Sequence, residues 1–160
     1  MVYLTGDTHG ELDRFKDGEL RRAGKGDFVV VLGDFGFVWD GSKAEQKNLD
    51  WLRKRPYTIL FLDGSHENYD LLEQYPTEER FGGLVQPLGG NVYHVCRGSV
   101  LELEGKKYLC FGGAESPDKE EREAHVNWVA AGDAFGRGNT PRCEAAPGSE
   151  QLAGRLCADH

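Results

Sequence analysis

The 160-residue chain has no apolar run long enough to cross a bilayer, which speaks against a helical membrane protein. It also lacks a positive excess. Nineteen Lys and Arg against 27 Asp and Glu give a net charge of −8, which argues against general binding to nucleic acid or to a membrane surface. No GxGxxG and no P-loop follows any apolar run, so a doubly wound nucleotide-binding protein is disfavoured. Cys96, Cys110, Cys143 and Cys157 include no CxxC pair, and read as buried or incidental thiols of a reducing cytoplasm. No signal peptide is visible, because Met1 leads straight into a strand-like run, and a cytoplasmic location is expected. No internal repeat appears beyond a recurring strand–loop–helix unit. The length suits one domain with one sizeable core.

What the chain does have is one pattern used three times. Val2-Tyr3-Leu4 reads as a buried strand and runs into Gly6-Asp7-Thr8-His9-Gly10. Phe28-Val29-Val30-Val31-Leu32 runs into Gly33-Asp34-Phe35-Gly36. Thr58-Ile59-Leu60-Phe61-Leu62 runs into Asp63-Gly64-Ser65-His66-Glu67-Asn68. The units repeat about every 25 to 30 residues, the length of a βαβ unit. In open α/β sheets ligands bind beyond the carboxyl ends of the strands, where these polar turns fall. An Asp and a His two residues apart at a strand end can converge on one point, and a carboxylate oxygen with an imidazole nitrogen suits a divalent metal. The flanking glycines permit tight turns.

Between the strands, Leu12, Phe15, Leu20 and Ala23 predict an amphipathic helix ending near Gly24 and Gly26. Ala44, Leu49, Trp51 and Leu52 predict a second, stopped before Pro56. Residues 68–75 predict a short third. The order β-α-β-α-β-α favours a mostly parallel sheet. Beyond it, Leu84–Pro87, Val92–Cys96, Ser99–Glu102 and Lys107–Phe111 are short and β-rich. Glu104-Gly105 reads as a hairpin turn, and these four segments suggest a second, antiparallel-leaning sheet packed on the first.

GDTHG, GDFG and GSHEN, in that order and spacing, resemble the calcineurin-like metallophosphoesterases over residues 1 to 128. The resemblance implies an α/β two-sheet αββα sandwich and hydrolysis of a phosphomonoester or phosphodiester. It implies two divalent ions, Mn, Fe or Zn, which activate a hydroxide and clamp the phosphoryl oxygens. Asp7 and His9 would bind the first ion and Asp34 would bridge both. Ser65 stands where the family has an Asn ligand, and a hydroxyl is a poorer ligand than an amide carbonyl, which weakens the second site. His66 would support the leaving group or transition state, with Glu67 and Asn68 behind the ligands.

The family's later His and GHxH are missing, so the chain is expected to be C-terminally truncated in this fold and weak or inactive. Residues 129–160 are rich in Ala, Gly, Arg and Pro and read as a poorly packed tail. Codons allowed for this tail, read one base later, can spell an amphipathic helix followed by an apolar strand. One extra G after the Trp128 codon would account for it, and a genuine divergent tail is the rival expectation. Lost strands would leave a sheet edge open to dimerisation or aggregation. The alternative to an enzyme is a degenerate phosphoesterase fold kept as a binding or regulatory module.

The other conspicuous residues have plainer readings. His94 is read as structural, His125 as solvated and His160 as terminal. Asp40 falls outside the GDxxD spacing. Arg97 and Lys119 are surface charges that could meet a phosphate, Asp63 orders its loop, and Trp39 and Trp51 pack in the core or a lid.

Overall fold

The computed structural model describes residues 1–16 and 18–113. The tail, its proposed boundary at 128/129, and Lys119, His125 and His160 lie outside the described residues. A six-stranded sheet organises the rest, in the order β1-β2-β3-β6-β5-β4. Its strands are β1 (Val2–Thr5), β2 (Phe28–Leu32), β3 (Thr58–Leu62), β4 (Glu78–Arg80), β5 (Gly83–Gly89) and β6 (Val92–Val95). β1, β2, β3 and β6 run parallel, and β5 pairs antiparallel with both β6 and β4. A hairpin of β7 (Val100–Leu103) and β8 (Lys106–Leu109) forms a second sheet. The fold is therefore mixed α/β with two sheets, as expected.

The in-register pairing of β2 with β3 sends alternate residues to opposite faces. Val29, Val31, Ile59 and Phe61 face a core with Leu49 and Leu52 of α2 (Lys43–Arg53) and Leu72 of α3 (Tyr69–Leu72). Val30 and Leu60 face Leu101 and Leu103 of the hairpin. Burial on both faces is why β2 and β3 are continuous β-branched and aromatic runs without alternation. α2 starts at Ser42, whose hydroxyl accepts the Glu45 N–H at 3.1 Å.

Three expectations change. The first helix is split into α1 (Asp13–Lys16) and a 3-10 turn at Leu20–Arg22, with Gly18 at φ 61° between them. An α-helix cannot carry a residue at that dihedral. β5 and β6 join the first sheet rather than the second. All four residues of β6 are buried, the mark of an inner strand, and its pairing with β3 places it there. β1 is an edge strand, and Leu4 is 60% exposed rather than buried. Of the cysteines, Cys96 and Cys110 are both buried, and Cys110 is a free thiol.

The hairpin turn falls at Glu104-Gly105 as read, with φ of 53° and 71°. Two left-handed residues define the turn type that suits twisted strands, and Asn tolerates the first position better than Glu. Glu104→Asn is therefore expected to stabilise the chain by about 0.5 kcal/mol, visible as a raised thermal midpoint.

Candidate metal centre

The three polar turns meet at the carboxyl ends of β1, β2 and β3, stitched together by backbone. The N–H groups of Thr8 and His9 both donate to the Asp34 carbonyl, at 3.0 and 2.9 Å, and Gly10 N–H donates to Phe35 O at 3.0 Å. The Thr8 hydroxyl donates to the same Phe35 carbonyl at 2.7 Å. Asp7, His9 and Asp34 all adopt positive φ, 37°, 45° and 48°. Non-glycine residues rarely do so, and three such residues on two joined loops mark a place where backbone strain is held by its surroundings. Gly64 lies against Asp34, where any Cβ would strike the carboxylate and backbone nitrogen.

Among the described residues, His9, Asp34 and His66 present ligand atoms that all lie within 4.8 Å of one another. The Asp34 Oδ2 atom is 3.3 Å from His66 Nδ1 and 4.0 Å from His9 Nε2. Asp34 Oδ1 accepts the His66 backbone N–H at 2.9 Å and the Ser65 hydroxyl at 3.4 Å. Two imidazole nitrogens and a carboxylate oxygen at these separations fit one borderline dication with bonds of about 2.0–2.2 Å.

Of the residues read from sequence, His9, Asp34, Ser65 and His66 converge. Asp7 sits on the same turn but is exposed and is not among the three clustered donors. Ser65 turns its hydroxyl to Asp34 and to His66 Nδ1, 3.3 Å away. Asn68 is placed elsewhere: it caps α3 by accepting Leu71 N–H at 3.2 Å and donates to Trp39 O at 2.8 Å. Asp40 is an exposed turn residue that accepts Ser42 N–H, as its spacing suggested.

Glu67 lies behind the cluster. Its carboxylate is buried and accepts Phe35 N–H at 2.5 Å and Gly64 N–H at 2.7 Å, tying the second loop to the third. Burial pushes this carboxyl up to about 8, against the pull of its two N–H donors and helped by the charges of Asp34 and Asp63. Glu67→Gln turns one acceptor into a donor facing an N–H. It is expected to cost about 1–3 kcal/mol in thermal unfolding and to weaken Mn²⁺ binding about 10- to 100-fold by calorimetry.

Asp63 does more than order its loop. It receives the buried Arg97 guanidinium, the Tyr69 hydroxyl at 2.9 Å and His94 Nε2 at 3.4 Å. Burial alone would raise its carboxyl, but the hydrogen bonds and charges of His94 and Arg97 hold it well below the carboxylate range. Tyr69 O–H also reaches Gly64 O at 2.7 Å, so the network braces the turn that carries His66. Arg97 is thus a buried structural cation rather than a surface one: its side chain is 6% exposed. His94 is structural as read, with Nδ1 2.7 Å from Gln86 Oε1. Trp51 packs against the core under Arg55.

Sequence reasoning missed Trp39 at the site. Its indole stacks on His66, with ring centroids 5.6 Å apart at 20°. The available signal was its place in the Gly36–Gly41 loop that follows Asp34.

Among the described residues no helix is long and apolar enough to cross a membrane. The family model for calcineurin-like phosphoesterases matches residues 1–135. No curated protein and no solved structure matches the chain.

Proposed function

Because the chain belongs to the calcineurin-like phosphoesterase family, we propose that it is a metal-dependent hydrolase of phosphomonoesters or phosphodiesters, impaired in this chain. The observation that carries this reading is the convergence of His9, Asp34 and His66 at the ends of three adjacent strands. These residues would hold one divalent ion, of the Mn, Fe or Zn type, with Asp7 on the same turn as a further donor. Ser65 would be the donor toward a second ion, and as a neutral hydroxyl it makes that position weak. A bound dication would supply Lewis-acid stabilisation of phosphoryl oxygens and an acidified water.

The chain's own residues set the rest. Asp34 holds the only carboxylate of the three-residue cluster, so it supplies the charge that attracts a cation to that point. His66 is held by its backbone N–H to Asp34 and by its ring to Trp39; with one ring nitrogen on the ion, the other would donate a hydrogen bond to the attacking or leaving oxygen. Glu67 and Tyr69 keep the second and third loops in place through Phe35, Gly64 and Asp63. The phosphoesterase domain is taken as residues 1–128 and the tail as 129–160, with a cytoplasmic location.

The full chain, stripped with EDTA and resupplied with Mn²⁺, is expected to hydrolyse a chromogenic phosphodiester weakly, and only in the resupplied state. Tight Mn²⁺ binding without turnover would favour the binding or regulatory module instead. Turnover independent of metal would overturn the reading.

A further inference from the structure

His66 is gripped by more than its own turn. On one ring face lies the Trp39 indole, offset-stacked at 20°. The His9 ring meets it edge-on, with centroids 4.5 Å apart at 87°. At Nδ1 stand Asp34 Oδ2 and Ser65 Oγ, each 3.3 Å away. The backbone hydrogen bond to Asp34 fixes where the residue sits, but it does not set the plane of the imidazole. A near-parallel aromatic neighbour does, because offset stacking favours one ring orientation over others.

Trp39 is itself anchored. Its backbone N–H donates to Glu45 Oε2 at 2.7 Å, a carboxylate that also gathers the backbone N–H groups of Asp40 and Gly41. Its carbonyl accepts Asn68 Nδ2 at 2.8 Å, and Asn68 N–H donates to the Val38 carbonyl at 2.9 Å. So the loop that carries the indole is tied to the turn that carries the imidazole, two residues after His66. Phe37 and Val38 are buried and do the packing for this loop, whereas Trp39 is only half-buried. The indole is not required to fill the core, and its contact with a donor-cluster ring is then its distinguishing feature.

We propose that Trp39 is a positioning residue: its indole face sets the plane of the His66 imidazole, so that Nδ1 is presented to Asp34 at the donor cluster. The catalytic consequence rests on the phosphoesterase reading, whereas the orientation of His66 and its effect on metal affinity do not.

The test uses the full chain and three variants, Trp39→Leu, Trp39→Phe and, as a control on an indole away from the site, Trp51→Leu. Four quantities are read: the His66 ring-proton shifts and their cross-relaxation to the indole in metal-free protein, Zn²⁺ affinity by calorimetry, kcat and KM on a chromogenic phosphodiester with Mn²⁺, and the thermal midpoint. Trp39→Leu is expected to displace the His66 ring signals, to weaken Zn²⁺ binding about tenfold, and to lower kcat about tenfold with KM within about twofold. Trp39→Phe, which keeps an aromatic face, is expected to restore affinity and kcat to within about threefold of wild type. Trp51→Leu should leave the ring signals, affinity and kcat unchanged.

Unmoved His66 signals and wild-type affinity in Trp39→Leu would overturn the proposal. So would a Phe variant as poor as the Leu variant, or equal losses in Trp51→Leu. If Trp39→Leu does not fold, Trp39→Phe decides: retained ring signals and affinity support the proposal, and their loss overturns it. Failure of both to fold would make Trp39 a packing residue and overturn it as well. If the wild-type chain shows no turnover, the hydrolase reading fails alone, and the metal-free spectra and Zn²⁺ affinity still decide the role of Trp39.

Discussion

Asp34→Asn is expected to abolish the rise in thermal midpoint that Mn²⁺ gives the wild-type chain, and to lower phosphodiester turnover at least about 100-fold. The substitution is nearly isosteric, and Asn accepts left-handed backbone at least as well as Asp, so the φ of 48° adds no new strain. What changes is the chemistry at two oxygens. Oδ2 loses its charge beside two imidazoles, which removes the only anion in the cluster. Oδ1 accepts the His66 N–H, and an amide can keep that bond only by turning its NH₂ toward His66 Nδ1, where a metal donor is needed. At free metal about 100 times the Kd, binding stabilises the folded state by about 2.7 kcal/mol, a shift a melting curve resolves easily. A variant that keeps this shift would remove Asp34 from the metal site.

Gly36→Ala is expected to destabilise the chain by at least about 3 kcal/mol, or to prevent folding. The added Cβ would stand 2.5 Å from Gly10 N, 2.6 Å from His9 C and 2.7 Å from His9 Cα, all backbone, at a φ of 72°. None of those atoms belongs to a flexible side chain, so relief requires the first and second loops to part. That separation would break the Gly10 N–H bond to Phe35 O and carry His9 away from Asp34. Gly26→Ala separates the two causes. Its φ is 89° but nothing lies within 4 Å of the added carbon, so only the dihedral cost of about 1–2 kcal/mol applies. For a chain of this size each kcal/mol is about 2–4 °C in thermal midpoint, so the two variants are distinguishable in one melting experiment. Equal shifts would mean that the close approach of the loops carries no energy.

The parts of the fold and the site that are legible in the sequence are those where a local pattern has one physical use. An unbroken run such as Val29-Val30-Val31 is tolerated in a strand covered on both faces, and β2 is such a strand. A turn that brings a carboxylate and an imidazole close to a neighbouring backbone needs glycine beside Asp or His, and Gly6 to Gly10, Gly33 to Gly36 and Gly64 to His66 are those turns. Glu104-Gly105 announced its hairpin by spacing alone.

What was not legible depends on residues far apart in the chain. β4 is Glu-Glu-Arg, wholly exposed at a sheet edge, and has no apolar pattern to betray a strand. Whether β6 joined the first sheet or the second was undecidable from its own four residues, because the answer lies in its pairing with Ile59, Leu60 and Phe61. Arg97 looked like a surface charge because its partner Asp63 is 34 residues away. Trp39 and His66 are likewise joined across two loops, and no spacing rule relates them. Glu67 was legible as a residue near the ligands, but its clamp on Phe35 and Gly64 emerges only once the second and third strands lie side by side.

The most direct test of the central claim is anomalous diffraction from crystals of the full chain grown with Mn²⁺. A single strong anomalous peak is expected about 2.0–2.3 Å from His9 Nε2, Asp34 Oδ2 and a ring nitrogen of His66. A peak bound elsewhere on the chain, or none at these three residues at saturating Mn²⁺, would contradict that claim.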